Sequence, residues 1–89
     1  MREVVTISSF KKDYKRLKRS GHYVMEELKN VVEQLTNDEP LPEKYCDHAL
    51  TGNLRNYREC HIKPDWLLVY QLQPDELVLV RTGSHSELF

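Results

Sequence analysis

The sequence predicts an α+β fold in which a helix hairpin packs on one face of a small, mostly antiparallel sheet. Three observations carry that reading. A short β-branched run opens the chain, two stretches with helical apolar spacing follow, and the remainder loses that spacing and reads as strands. The expected order is β-α-α-β-β-β, with helices grouped ahead of a strand meander. At 89 residues the chain fits a single domain, 1–89.

Val4-Val5-Thr6-Ile7 is the first strand, since β-branched side chains suit a pleated surface. Ser8 or Ser9 is placed to cap the next helix, a serine hydroxyl being able to accept from a free backbone N–H. Phe10, Tyr14 and Leu17 follow at i, i+4 and i+7 on one helix face, and lysines and arginines fill the other. Gly21 fits the stop. Val24, Leu28, Val31, Val32 and Leu35 repeat the spacing and predict a second helix from about His22 to Thr36, ended by Pro40 and Pro42. Residues 43–53 read as loop, with a turn at Thr51-Gly52-Asn53.

From Leu54 the side chains alternate. Arg55, Tyr57, Glu59 and His61 share one face, and Leu54, Asn56, Arg58, Cys60 and Ile62 the other. Neither face is cleanly apolar, which suits a strand lining a site. Trp66-Leu67-Leu68-Val69-Tyr70 is nearly all apolar, as in a central strand buried on both faces. Gln73-Pro74-Asp75-Glu76 turns the chain into a last strand, Leu77 to Val80. Gly83 ends it ahead of a tail from Ser84 to Phe89.

The formal net charge of −1 hides an asymmetry. Lys11, Lys12, Lys15, Arg16, Lys18 and Arg19 stand against Asp13 alone over residues 10–20, while residues 26–43 are acidic. A positive working face on the first helix fits this pattern, as does a plain solvated face. No apolar run approaches the roughly 20 residues of a membrane span. The opening residues lack the apolar core of a signal peptide, so a cytoplasmic location is expected. Cys46 and Cys60 are too few for a disulfide scaffold and are expected as free thiols.

Histidine is the one side chain whose ordinary pKa lets it give or take a proton near neutral pH. His22 sits at a helix junction and reads as a solvent residue. His48, His61 and His85 lie outside the expected helices, near strand ends or in loops, where a scaffold can fix functional groups. Asp65, Arg58 and Arg81 add a carboxylate and cations. Together such groups can run phosphodiester cleavage without a metal. A zinc site from Cys46, His48, Cys60 and His61 has none of the usual ligand spacings. Adjacent strand residues such as Cys60 and His61 also point to opposite faces. No phosphate-binding glycine loop, G-x-S-x-G or H-E-x-x-H is present.

Three blocks then carry a resemblance. They are Asp47-His48-Ala49-Leu50-Thr51-Gly52, the run from Tyr57 to Tyr70 containing His61-Ile62-Lys63-Pro64-Asp65-Trp66, and Arg81-Thr82-Gly83-Ser84-His85-Ser86-Glu87-Leu88-Phe89. Residues 45–89 closely resemble the YafQ family of bacterial toxins, within the RelE/ParE superfamily of toxin–antitoxin modules. Residues 1–44 match only in general form. The resemblance implies a RelE/ParE-like fold and a metal-independent endoribonuclease, without cofactor, that cuts mRNA in the A site of the 70S ribosome. It also implies a cognate antitoxin protein, with operator DNA reached only through that complex. The family's catalytic histidines fall on His48, His61 and His85, its acid on Asp65, and its basic and aromatic site residues on Arg81, Trp66 and Phe89. Glu59 stands where some relatives carry aspartate. In the mechanism this suggests, Asp65 or His61 takes the ribose 2′-OH proton or orients the group that does. His85 protonates the 5′-oxygen and Arg81 stabilises the phosphorane. Trp66 or Phe89 stacks on or shapes the base pocket, and Lys11, Lys12, Lys15 and Arg16 bind ribosomal RNA phosphates. The superfamily also holds toxins that poison DNA gyrase by binding, and the three histidines favour the nuclease over that alternative.

Overall fold

The computed structural model describes residues 1–52 and 56–88. Its elements are β1 (Glu3–Thr6), α1 (Ser8–Ser20), α2 (Met25–Thr36), a 3₁₀ turn (Glu43–Tyr45), β2 (His48–Ala49), β3 (Arg58–Lys63), β4 (Trp66–Leu72), β5 (Glu76–Gly83) and α3 (His85–Leu88). The five strands run in the order β1-β5-β4-β3-β2. All pairs are antiparallel except β1 with β5, which is parallel from Glu3 opposite Glu76 to Thr6 opposite Leu79. The α+β class and the mostly antiparallel sheet are as the sequence predicts. Three elements are additional, the first being the 3₁₀ turn inside the expected loop. His48 and Ala49 form a short edge strand inside the expected loop, and the expected tail contains a short helix. Asn53, Leu54 and Arg55, which the expected turn and strand included, lie outside the described residues.

The helix hairpin covers one sheet face. Phe10 and Leu17 of α1, with Leu28, Val31 and Leu35 of α2, pack against Cys60, Ile62, Trp66, Leu68, Tyr70, Leu77 and Leu79. Each fully buried side chain of this kind contributes about 1.5–3 kcal/mol. Gly21 ends α1 in the left-handed conformation, φ 71°, which glycine adopts without steric cost. The second helix starts three residues later than its apolar spacing suggests. Val24 extends the pattern but is 61% exposed, and it is the extended residue that precedes the first turn. Among the described residues no helix is long and apolar enough to cross a membrane.

The expected serine cap is absent. Ser8 and Ser9 are already helical, Ile7 holds the capping position, and no side chain caps it. The Ser9 hydroxyl instead donates to the Val80 carbonyl at 2.9 Å. The reason lies in the sheet edge. β1 pairs with β5 only as far as Leu79, so β5 continues past its neighbour. Unpaired backbone there would be costly once buried. Side chains of α1 at i, i+4 and i+7 take over. Ser9 donates to Val80, the Asp13 carboxylate accepts from the Thr82 N–H at 3.2 Å, and Arg16 donates to the Thr82 carbonyl at 3.5 Å.

Asp13 is the centre of this seam. It is 2% exposed, yet it accepts from Arg81 Nε at 2.5 Å, Arg81 Nη2 at 3.2 Å and Arg16 Nη1 at 2.8 Å. Burial pushes its carboxyl up, but the hydrogen bonds from Arg81, Arg16 and the Thr82 amide outweigh it and hold the group below the usual carboxylate range. Thr82 is saturated in turn. Its hydroxyl donates to the Leu67 carbonyl at 2.8 Å and accepts from the Trp66 indole at 2.9 Å.

Asp13→Ala is expected to cost about 2–4 kcal/mol in chemical denaturation, because it takes the acceptor from the Arg81 guanidinium and the Thr82 N–H and removes one partner of Arg16. A folded carboxyl held low stabilises the fold fully above its unfolded pKa, near 4, and loses that contribution as pH falls through the lower folded value. The acid limb of the stability profile is therefore expected to flatten in Asp13→Ala, and an unchanged limb would show that Asp13 carries no such term.

Candidate active site

Strand register assembles the site on the sheet face opposite the helices. His48 pairs with Glu59, Glu59 with Val69, and Val69 with Arg81, so these four side chains form one row across β2 to β5. His61, Leu67 and Gly83 form the adjoining row, and His85 follows Gly83. The neighbours of Glu59 and His61 in β3, Cys60 and Ile62, point into the core.

A buried carboxylate organises the histidines. Glu59 is 6% exposed, and its Oε1 lies 3.3 Å from His61 Nε2 and 3.7 Å from His48 Nε2. The His61 and His85 rings meet edge to face with centroids 5.5 Å apart, and His48 and His61 are 6.4 Å apart. His48 Nδ1 lies 2.7 Å from the Cys46 carbonyl, which can only accept, so that nitrogen carries a proton. The carboxylate of Asp65 accepts from the His85 backbone N–H and faces His85 Nδ1, each at 3.2 Å. Among the described residues, His85 Nε2 is the ring position left without a hydrogen-bond partner. The His85 backbone N–H first, and its ring second, hold the Asp65 carboxyl below the usual carboxylate range.

Two devices hold the flanking segments. Ahead of β2, Asp47 accepts from the Tyr70 hydroxyl, and Arg58 Nη2 lies 3.2 Å from its other oxygen. Burial, then the Asp47 bond, pushes the Tyr70 hydroxyl well above its ordinary value, so it stays protonated as donor. After β5, Ser84-His85-Ser86-Glu87 forms a reciprocal capping box. Glu87 Oε1 accepts from the Ser84 N–H at 2.9 Å, and Ser84 Oγ accepts from the Glu87 N–H at 3.3 Å. Arg16 joins the box to α1, its Nε lying 3.0 Å from Glu87 Oε2. Gly83 lets the chain enter this turn at φ 153°, and a Cβ there would meet Arg16 Nη2 at 2.9 Å.

The residues expected from the sequence therefore divide. His48, His61, His85 and Asp65 come together, while His22 is exposed and lines a separate surface pocket that Asp65 borders. Arg81 is two strands from Glu59 on the same face, about 10 Å at the usual strand spacing. Glu59, expected among the substrate-binding residues, is buried between His48 and His61. Trp66 lies in the core, 2% exposed and packed edge-on against Tyr23 at 4.9 Å. Arg58 pairs with Asp47, and Arg16, exposed on α1, pairs with Asp13 and Glu87. Lys11, Lys12 and Lys15 are exposed on α1. Phe89 lies outside the described residues. The sequence reading missed Asp13, Asp47, Ser84 and Glu87. The S-x-x-E spacing was a visible signal for the last two, and the lone acid in a basic run was one for Asp13.

Glu59, His61 and His85 also place one donor atom each within 4.8 Å of one another. One carboxylate and two imidazoles suit zinc, copper or nickel. Neither cysteine takes part. Cys46 is exposed, and Cys60 is buried in the core, where burial pushes its thiol up to about 12.

A family model described as a bacterial toxin of type II toxin–antitoxin systems, YafQ, matches residues 2–89. The chain belongs to the YafQ toxin family. It is 39% identical to the mRNA interferase toxin YafQ of Escherichia coli K12, over 99% of this chain and 96% of that one. The structure resembles that of a copper-bound mutant toxin from Helicobacter pylori, with TM-score 0.95, 46% identity and full coverage of both chains. It resembles a metal-bound toxin from the same organism, with TM-score 0.92, 48% identity and full coverage of both chains. It also resembles a chain of the E. coli DinJ–YafQ complex, with TM-score 0.89 and 39% identity, covering 100% of this chain and 99% of that one.

In this YafQ-family chain the capping box holds the turn that carries His85, beside the bonds His85 makes to Asp65. Replacing Ser84 and Glu87 together by alanine is expected to fray α3 at a local cost of about 0.5–2 kcal/mol. The ring-to-ring NOE between His61 and His85 should vanish while the melting curve barely moves. A retained NOE would show that α3 is held by other contacts.

Proposed function

We propose that this toxin halts translation as an endoribonuclease that cuts mRNA in the ribosomal A site and needs no metal or cofactor. The observation that supports it most is the clustering of three histidines from separate segments, two of them on the buried Glu59 carboxylate and the third beside His61 and backed by Asp65. A toxin that acts by binding alone, as in the gyrase-directed alternative, has no use for such positioned proton carriers. Membership of the family supports a cognate antitoxin as partner, and the E. coli relative occurs in complex with DinJ. Contact of that complex with operator DNA belongs to the same reading.

In the proposed reaction the ribose 2′-oxygen attacks the adjoining phosphorus, the P–O5′ bond breaks, and a 2′,3′-cyclic phosphate and a free 5′-OH result. His61 Nε2 faces Glu59, which orients the ring and leaves Nδ1 to take the 2′-OH proton. Asp65 is committed to His85, so it fits the positioning role better than that of base. His85 Nε2 then delivers the proton to the leaving 5′-oxygen. Arg81, fixed by Asp13, supplies positive charge near the phosphorane. Lys11, Lys12 and Lys15 are available to ribosomal RNA phosphates, a contact that weakens with salt.

The Glu59, His61 and His85 donor set favours a second reading beside this one, in which a transition metal regulates the site. A ring nitrogen bound to a metal no longer carries a transferable proton, so metal binding would oppose acid–base catalysis by His61 and His85.

In a purified translation system with 5′-end mapping, His85→Ala is expected to lose about 10²–10⁴-fold of cleavage while still folding and binding antitoxin. Wild-type cuts from that variant would remove His85 as the acid, and a folded wild type that makes no cuts would move the reading to a binding toxin. Added zinc or copper is expected to suppress cleavage and EDTA to restore it. Cleavage that rises with the metal would make the ion a cofactor.

A further inference from the structure

Beside the histidines lies an open cleft that the reaction described above does not use. It sits between α2, the 3₁₀ turn and the end of β3, with a volume of about 650 Å³, and His61 forms part of its wall. That size falls within the roughly 300–1,000 Å³ of ordinary small-ligand sites. Asn30, Lys44, Tyr45 and Lys63 also line it.

We propose that this cleft is a base-reading subsite, holding the RNA nucleotide next to the scissile phosphate. The inference rests on the nuclease reading and adds to it the residues that select the cleavage site. Four observations carry it. First, His61 belongs to both the cleft and the histidine cluster, so an occupant of the cleft adjoins the reacting phosphate. Second, the Tyr45 ring is packed against the core, which fixes an aromatic wall of the kind on which bases stack. Third, Asn30 is exposed on α2, and its side-chain amide offers both donor and acceptor to a base edge. Fourth, Lys44 and Lys63 bring positive charge for the backbone. Lys44 Nζ lies 5.1 Å from the Tyr45 ring centre, and Lys63 is held at 2.9 Å by Glu27. The Glu27 carboxylate offsets one lysine, so the cleft is not a uniformly basic groove. A mixed lining of amide, aromatic ring and two cations suits a nucleotide better than a bare phosphate.

The test maps 5′ ends across a codon library in a purified translation system, comparing wild type with Asn30→Ala, Tyr45→Ala and Lys44→Ala/Lys63→Ala. Asn30 is exposed, so its variant folds even if Tyr45→Ala does not. Asn30→Ala is expected to change the ratio of cuts between bases at one codon position by about 5–100-fold, the worth of a good base-edge contact. The lysine pair is expected to lower cleavage at all sites, with a shallower dependence on salt. The pH profile set by His61 and His85 should not move. Unchanged base ratios in Asn30→Ala and Tyr45→Ala would overturn the subsite. So would unchanged ratios with weakened antitoxin binding, which would give the cleft to the protein partner. A wild type that cuts nothing would instead fail the nuclease reading, a result distinct from either.

Discussion

The structure depends on one buried charge. Asp13 lies in the seam between α1 and β5, where burial alone would favour a neutral group. Two arginines and a backbone amide keep it ionised. A hydrophobic residue could fill the same space, but it could not accept from the Thr82 N–H, and β5 would be left with an unpaired edge. The carboxylate therefore completes the sheet where β1 stops short, and aligns Arg81 along the same strand. One of its partners, Arg16, also reaches Glu87 in the capping box of α3. A chain of charge-assisted bonds thus runs from the first helix to the residue beside His85.

The site repeats this logic on the other side. Glu59 is a second buried carboxylate, again met by cations or potential cations, and again pairing segments distant in sequence. Asp47 does the same for the loop ahead of β2 through Tyr70 and Arg58. Each histidine thus has its ring direction fixed by an acceptor. The small domain spends acidic side chains on orientation.

How much of this the sequence displayed follows from locality. The apolar run from Trp66 to Tyr70 announced β4, and the helical spacing announced both helices, because burial dictates those patterns residue by residue. Val24 misled the start of α2, since it continues the apolar period while facing solvent. β2 is only two residues long and exists through its pairing with β3, so no run of residues could signal it. Glu59 alternates with core residues like any site-lining side chain, and its burial follows from what β2 and α3 place over it. The histidines were visible as a set through the family motifs, and their common carboxylate emerged only from strand register. Trp66 fitted both a base platform and a core residue. Its indole bond to Thr82 decides for the core.

The parallel pairing of β1 with β5 has a consequence for the moment at which the toxin becomes dangerous. Glu3 finds its partner in Glu76, so the opening strand must wait until nearly the whole sheet has been synthesised. Such non-local pairing is slow to form, because loop closure must precede the contacts that reward it. Arg81 and His85 are made later still. The histidine cluster draws on β2, β3 and the turn after β5, so it closes late, once segments far apart in the chain have met.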